Sequence, residues 1–172
     1  MRRLASSHEP WLAAGLCVSA IAAGAPCSFG AQYLTPEEAR HLCFPSATAF
    51  EPQQVGSGPV RCWLARGPAG VLGYVLLDAV IGKHLLIDYM LAVDRAGEIQ
   101  RLEILAYRET HGGQVRNASW RAQFRGFGAS RPPRFQRDIT NIGGATLSCR
   151  HVTEGVGRLL QFFKTHIARH GS

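Results

Sequence analysis

The sequence predicts an α+β domain in which an antiparallel sheet of about four strands packs with helices and the chain closes on a long helix. Three observations carry this. β-rich segments follow one another from Val60 to Tyr107 without a helical stretch between them, the pattern of a meander rather than of a parallel sheet. Asp94-Arg95-Ala96-Gly97 separates two of them as a glycine-containing hairpin turn. Near the C-terminus, Val152, Val156, Leu159, Leu160, Phe163 and Ile167 recur at helical spacing and define one apolar stripe.

The elements can be justified in order. Met1-Arg2-Arg3 is a short positive start, and Trp11 to Pro26 is an uncharged apolar run. That run has the length of a signal-peptide core and is short for a membrane span of about 20 residues. Residues 1–31 are therefore expected to be a signal peptide or an uncleaved N-terminal anchor, and residues 32–172 a single domain outside the cytoplasm. Thr35-Pro36-Glu37-Glu38 opens a helix: Thr35 caps it, Pro36 takes the first helical position, and Glu38 completes a capping box. The helix is expected to stop near Pro45, with Glu51 to Pro59 as a loop. Strands are expected over Val60 to Ala65, Gly70 to Val80, Leu85 to Val93 and Glu98 to Tyr107. Arg108 to Gly113 reads as a loop, Asn117 to Phe124 as a short helix and Gly126 to Pro133 as a second loop. The last helix is expected from about Ser148 to Ala168.

Composition removes several functions. The net charge is +7, but the arginines are scattered and follow no nucleic-acid-binding motif. Of five cysteines, Cys17 and Cys27 lie in the N-terminal segment, leaving Cys43, Cys62 and Cys149. No CxxC or Cys/His spacing supports zinc, haem c or an iron–sulfur cluster. A Cys43–Cys62 disulfide is open to an exported chain. The absence of GxSxG leaves Ser148 without a hydrolase setting.

Chemistry concentrates at Gly143-Gly144-Ala145-Thr146-Leu147-Ser148, at the entrance of the last helix. The glycine pair permits a tight turn, the first helical turn offers unpaired N–H groups, and a phosphate is favoured there. Thr146 and Ser148 add hydroxyls. On spacing alone, the same pattern is more often a glycine turn followed by a Thr or Ser helix cap.

The stretch Asp138-Ile139-Thr140-Asn141-Ile142-Gly143-Gly144-Ala145-Thr146-Leu147-Ser148 resembles the flavinylation site of the FMN-binding domain family, which includes the C subunit of sodium-translocating NADH:quinone oxidoreductase and the G subunit of the Rnf complex. Gly82-Lys83-His84, Val93-Asp94 with Gly97, Tyr107-Arg108-Glu109-Thr110-His111-Gly112-Gly113 and Trp120-Arg121-Ala122-Gln123-Phe124-Arg125-Gly126 also resemble the family's order of elements. The resemblance implies FMN attached through a phosphoester to Thr146 by a separate flavin transferase that uses FAD and magnesium. It implies that Gly143, Gly144, Ala145, Leu147 and Ser148 surround the attachment point, and that Glu109, Thr110, His111, Gly112 and Gly113 approach the flavin. Lys83 and His84 are expected near its phosphate or ring carbonyls. The family's Ser or Thr before Gly-Ala-Thr is Gly143 here. Its Asp position falls on Thr140, with the nearest acid at Asp138.

By this resemblance the protein is expected to be a periplasmic or outer-face electron carrier with a membrane redox protein as donor or acceptor, rather than a stand-alone enzyme. The alternatives are a flavin-free exported binding domain of the same fold and a non-covalent FMN oxidoreductase. Trp120 and Phe124 are expected to form a core pair, and Cys149 to be a buried small hydrophobe.

Overall fold

The computed structural model describes residues 31–56 and 58–168; the expected signal or anchor lies outside the described residues, apart from Ala31. The chain runs β1 (Ala31–Gln32), α1 (Pro36–Cys43), β2 (Ala49–Gln53), β3 (Arg61–Gly67), β4 (Gly70–Ile81), β5 (Leu86–Asp94), β6 (Ile99–Tyr107), a 3₁₀ turn (Gly113–Arg116), α2 (Ala118–Ala122) and α3 (Thr146–His166). The α+β class holds, and the long closing helix is present, beginning at Thr146 rather than near Ser148.

The sheet has six strands in the order β1-β6-β5-β4-β3-β2, all antiparallel, where about four were expected. The meander β3 to β6 is the expected part. The additions are its two edges. β1 is only two residues long, too short to leave a periodic signal. β2 contains Pro52 and takes in Glu51 to Gln53, the start of the expected loop. Proline is tolerated there because an edge strand leaves one row of its backbone groups unpaired. The expected helix over Asn117 to Phe124 is shorter, closing at Ala122.

α1 has the full capping box: the Glu38 N–H donates to Thr35 Oγ1 at 3.2 Å, and the Thr35 N–H donates to Glu38 Oε2 at 2.8 Å. α1 and α3 cover opposite faces of the sheet. On one face, the α3 stripe residues Val152, Val156, Leu159, Leu160, Phe163 and Ile167 pack with Leu76, Val80, Ile87, Tyr89, Leu91 and Val93. On the other, Ala39 and Cys43 of α1 pack with Val75, Leu77, Met90, Ala92 and Leu105. Both faces of β4 and β5 are thus buried, which is why those strands read as near-continuous apolar runs instead of alternating.

This division also settles the cysteines. Cys62 belongs to the α3 face and Cys43 to the α1 face. With the sheet between them they form no disulfide, and Cys43, Cys62 and Cys149 are all free and buried.

α2 is held against β6 by charge as well as packing. Glu103 is almost fully buried and meets Arg101 at 2.6 Å and the Arg121 guanidinium. Arg121 Nη1 also donates to the Leu102 carbonyl at 3.0 Å. A buried carboxylate is tolerated here because two guanidiniums compensate its desolvation. Trp120 and Phe124 form the expected core pair, edge to face with ring centroids 5.1 Å apart.

Candidate functional site: a groove at the entrance of α3

The approach to α3 is fixed from α2. Trp120 Nε1 donates to the Thr140 carbonyl at 2.9 Å. Gln123 Oε1 accepts the Thr140 N–H at 2.9 Å and its hydroxyl at 3.0 Å. From this anchored point the chain turns through Gly143 and Gly144, closed by the Ala145 N–H on the Ile142 carbonyl at 3.0 Å. Gly144 has φ +81°, the left-handed value that the third position of such a turn requires and that glycine adopts without penalty.

Ala145 is the N-cap of α3 and offers no side-chain cap. The cap expected on spacing alone is therefore absent: Thr146 is the first helical residue. The first intrahelical bond is Cys149 N–H to the Ala145 carbonyl, 2.9 Å. Among the described residues, the N–H groups of Thr146, Leu147 and Ser148 have no protein partner. Three unpaired donors and the positive end of a 21-residue helix face one spot, an environment that favours an anion.

The two hydroxyls of this turn differ. Ser148 is buried, and its Oγ lies 2.9 Å from the Tyr107 hydroxyl. Tyr107 in turn donates to the His111 carbonyl, and burial pushes its phenol pKa up. Thr146 is half-buried, and its Oγ1 accepts a hydrogen bond from Asn141 Nδ2 at 3.0 Å.

A groove of about 540 Å³ opens beside Thr146. It is lined by Lys83, His84, Glu109, Thr110, His111, Gly144, Ala145, Thr146, Leu147 and Ser148. Ten of the thirteen expected cofactor contacts are thereby brought together. Gly143, Gly112 and Gly113 do not line it. Gly143 begins the turn from outside, and Gly113 opens the 3₁₀ turn. Gly112, at φ +96°, lies beneath Tyr107, where any Cβ would collide with the phenol oxygen. Its role is to let the loop pass under Tyr107.

Glu109 is also recast. Its carboxylate accepts the backbone N–H groups of His84 and of Leu85, the latter at 2.7 Å. Burial acts to raise its pKa, but the His84, Leu85 and Lys83 amides outweigh it and hold the carboxyl below the usual value. Glu109 is therefore a clamp on the β4–β5 loop as well as a wall of the groove.

His151 of α3 secures the same loop from the other side. Its Nδ1 lies 2.7 Å from the Ile81 carbonyl and 2.8 Å from the Gly82 carbonyl. Carbonyls only accept, so Nδ1 carries the proton. His151 is not one of the apolar-stripe residues, and sequence reasoning singled out neither it nor Asn141 or Tyr107. A signal for His151 was available: it stands one turn after Leu147, on the same helix face. Asp138, the displaced acid, does not reach Thr146; it bonds Arg134 Nε at 3.1 Å, and that guanidinium holds its pKa down.

At the entrance of α3 the groove presents the half-buried Thr146 hydroxyl beside an open helix N-terminus and a lysine, a setting that suits a phosphate-bearing ligand. Residues 82–161 match the model of the FMN-binding domain, the family that the chain's motifs resemble. The matched segment begins at the loop clamped by Glu109 and ends within α3, so it contains the whole groove. The fold is similar to that in the crystal structure of NqrC from Shewanella oneidensis, with a TM-score of 0.53 and 14% identity over 81% of this chain and 79% of that one. No curated protein matches the sequence.

The residues present fit the family's cofactor. Phosphate suits the three free N–H groups, and the groove falls within the size range of small-molecule sites.

Proposed function

We propose that this protein is an exported electron carrier whose FMN is esterified through its phosphate to Thr146, with a membrane redox protein as donor or acceptor. The observation that carries the reading is the difference between the two hydroxyls at the start of α3. Both line the groove, but Thr146 is half-buried, while Ser148 is buried with its hydroxyl against Tyr107. Attachment falls to a flavin transferase acting on the accessible hydroxyl.

When bound, FMN supplies the redox chemistry, and the protein needs no catalytic base of its own. The chain's residues bind and orient. The Thr146, Leu147 and Ser148 amides receive phosphate, with Lys83 among the residues of the groove wall. Glu109 and His151 hold the β4–β5 loop in place from two sides. Trp120 and Gln123 fix the segment that delivers the turn.

Co-expression of the chain with a flavin transferase, followed by denaturing electrophoresis, tests the reading. In-gel flavin fluorescence is expected in the parent and absent in Thr146→Ala. Flavin that is released on denaturation would favour non-covalent FMN instead, and a colourless protein after FMN soaking would favour the flavin-free alternative.

A further inference from the structure

The sheet face that carries α1 is only partly covered. α1 has eight residues, a length of about 12 Å, while β4 alone has twelve. Side chains alternate along a strand, so Leu77, Ala79 and Ile81 share that face. Ala79 pairs with Asp88 of β5, and Ile81 with Leu86. Leu77 still belongs to the α1 core, but Ile81 is 60% exposed and Leu86 46%. Beside Pro36, the first residue of α1, a groove of about 330 Å³ opens over Leu77, Ala79, Leu105 and Ala106. It has the volume of a small-molecule site. It shares no residue with the groove at Thr146.

Three charged residues border this groove, and two are already engaged. The Asp88 carboxylate accepts both terminal nitrogens of Arg108, at 3.0 and 2.6 Å. Asp78 accepts the Tyr89 hydroxyl at 3.1 Å, and Tyr89 belongs to the core on the α3 face. Arg61 is the third. Among the described residues its guanidinium meets no carboxylate; it lies 5.8 Å from the centre of the Trp63 ring. Arg40 of α1 approaches the same ring at 4.7 Å, and its buried Nε has no acceptor among the described residues. Two guanidiniums gathered on one indole, with no carboxylate between them, leave this end of the groove positive.

We propose that this groove binds a small amphipathic monoanion, a carboxylate joined to an alkyl chain. The carboxylate meets Arg61, and the chain lies over Leu77, Ala79, Leu105 and Ala106 toward Ile81 and Leu86. Charge selects the head, because the uncommitted charge at the rim is positive. The floor selects the tail, because covering it removes apolar surface from water. The proposal does not rest on the FMN reading, since the groove lies on the α1 face and is built from other residues.

The test is an NMR titration of the full chain with octanoate, decanoate and octanol, each below its aggregation limit. Octanoate is expected to shift the methyl signals of Leu77, Ala79 and Ala106. Leu147, which lines the groove at Thr146, should not move. Affinity should rise about fourfold for each added methylene that the groove covers. Arg61→Gln should weaken octanoate about fivefold, the upper range for an exposed ion pair, and leave octanol unchanged. Arg61 is exposed, and unmoved Val152 and Leu159 methyls in the same spectra verify that the variant is folded. The proposal is overturned by an absence of shifts at Leu77, Ala79 and Ala106. It is equally overturned by shifts at Leu147 in their place, or by octanoate affinity that Arg61→Gln leaves unaltered.

Discussion

Thr146, Ser148 and Thr140 are three hydroxyls within nine residues, and their surroundings assign them different work. Thr140 gives its hydroxyl to Gln123, and Ser148 lies within hydrogen-bond reach of Tyr107 in the interior. Thr146 lines the groove half-buried, its oxygen held by a neighbouring amide, that of Asn141. Asn141→Ala removes one neutral hydrogen bond, worth about 1 kcal/mol net, from the group that must be presented. The expected outcome is flavinylation slowed about fivefold with the unfolding midpoint little changed, read as the rate at which in-gel fluorescence appears. An unchanged rate would remove Asn141 from the account. Tyr107→Phe acts differently, since it strips the His111 carbonyl and the buried Ser148 hydroxyl of a shared partner. Leaving buried polar groups unpaired costs about 1–3 kcal/mol, to be measured by urea denaturation.

At the scale of elements, the β4–β5 loop is the part of the groove wall most dependent on ionisation. Glu109 accepts its amides as a carboxylate, and its pKa is lowered in the fold. A lowered carboxyl contributes stability that is present above the unfolded value, about 4.3, and that is lost as pH falls through the folded value. Glu109→Gln is therefore expected to be less stable than the parent at pH 7, with the difference closing on acidification below about pH 4. A difference independent of pH across that range would show that the carboxylate charge does not hold the loop. Legibility differed between elements for physical reasons. The capping box of α1 and the stripe of α3 depend on local spacing and were readable. β1 and β2 were not, because an edge strand's existence is decided by its partner: two residues on β6 in one case, and β3 beside Pro52 in the other. Much of the groove was readable through motif order, since Lys83, His84, Glu109 to His111 and Gly144 to Ser148 converge on it. Asn141 and Tyr107 were not, because each acts through a contact that only the packed turn creates.

For the whole molecule, the sheet acts as a partition. α3 and its groove lie with one core and α1 with the other, so the two faces share no disulfide. Burial pushes the Cys43 and Cys62 thiols up to about 12, and burial also raises Cys149. Such thiols are poor nucleophiles at neutral pH. Iodoacetamide labelling at pH 7.5, mapped by peptide mass, should leave all three unmodified in the native protein and modify all three in denaturant. Rapid native labelling of Cys43 or Cys62 would contradict the two-faced core. Among the described residues, no helix is long and apolar enough to cross a membrane.

The central claim is the accessible hydroxyl of Thr146, and one peptide reports on it. Trypsin cutting after Arg137 and Arg150 releases Asp138 to Arg150, which holds Thr140, Thr146 and Ser148 together. After co-expression with a flavin transferase, fragmentation of this peptide should locate an FMN-sized increment on Thr146. An increment on Thr140 or Ser148, or an unmodified peptide, would contradict the account.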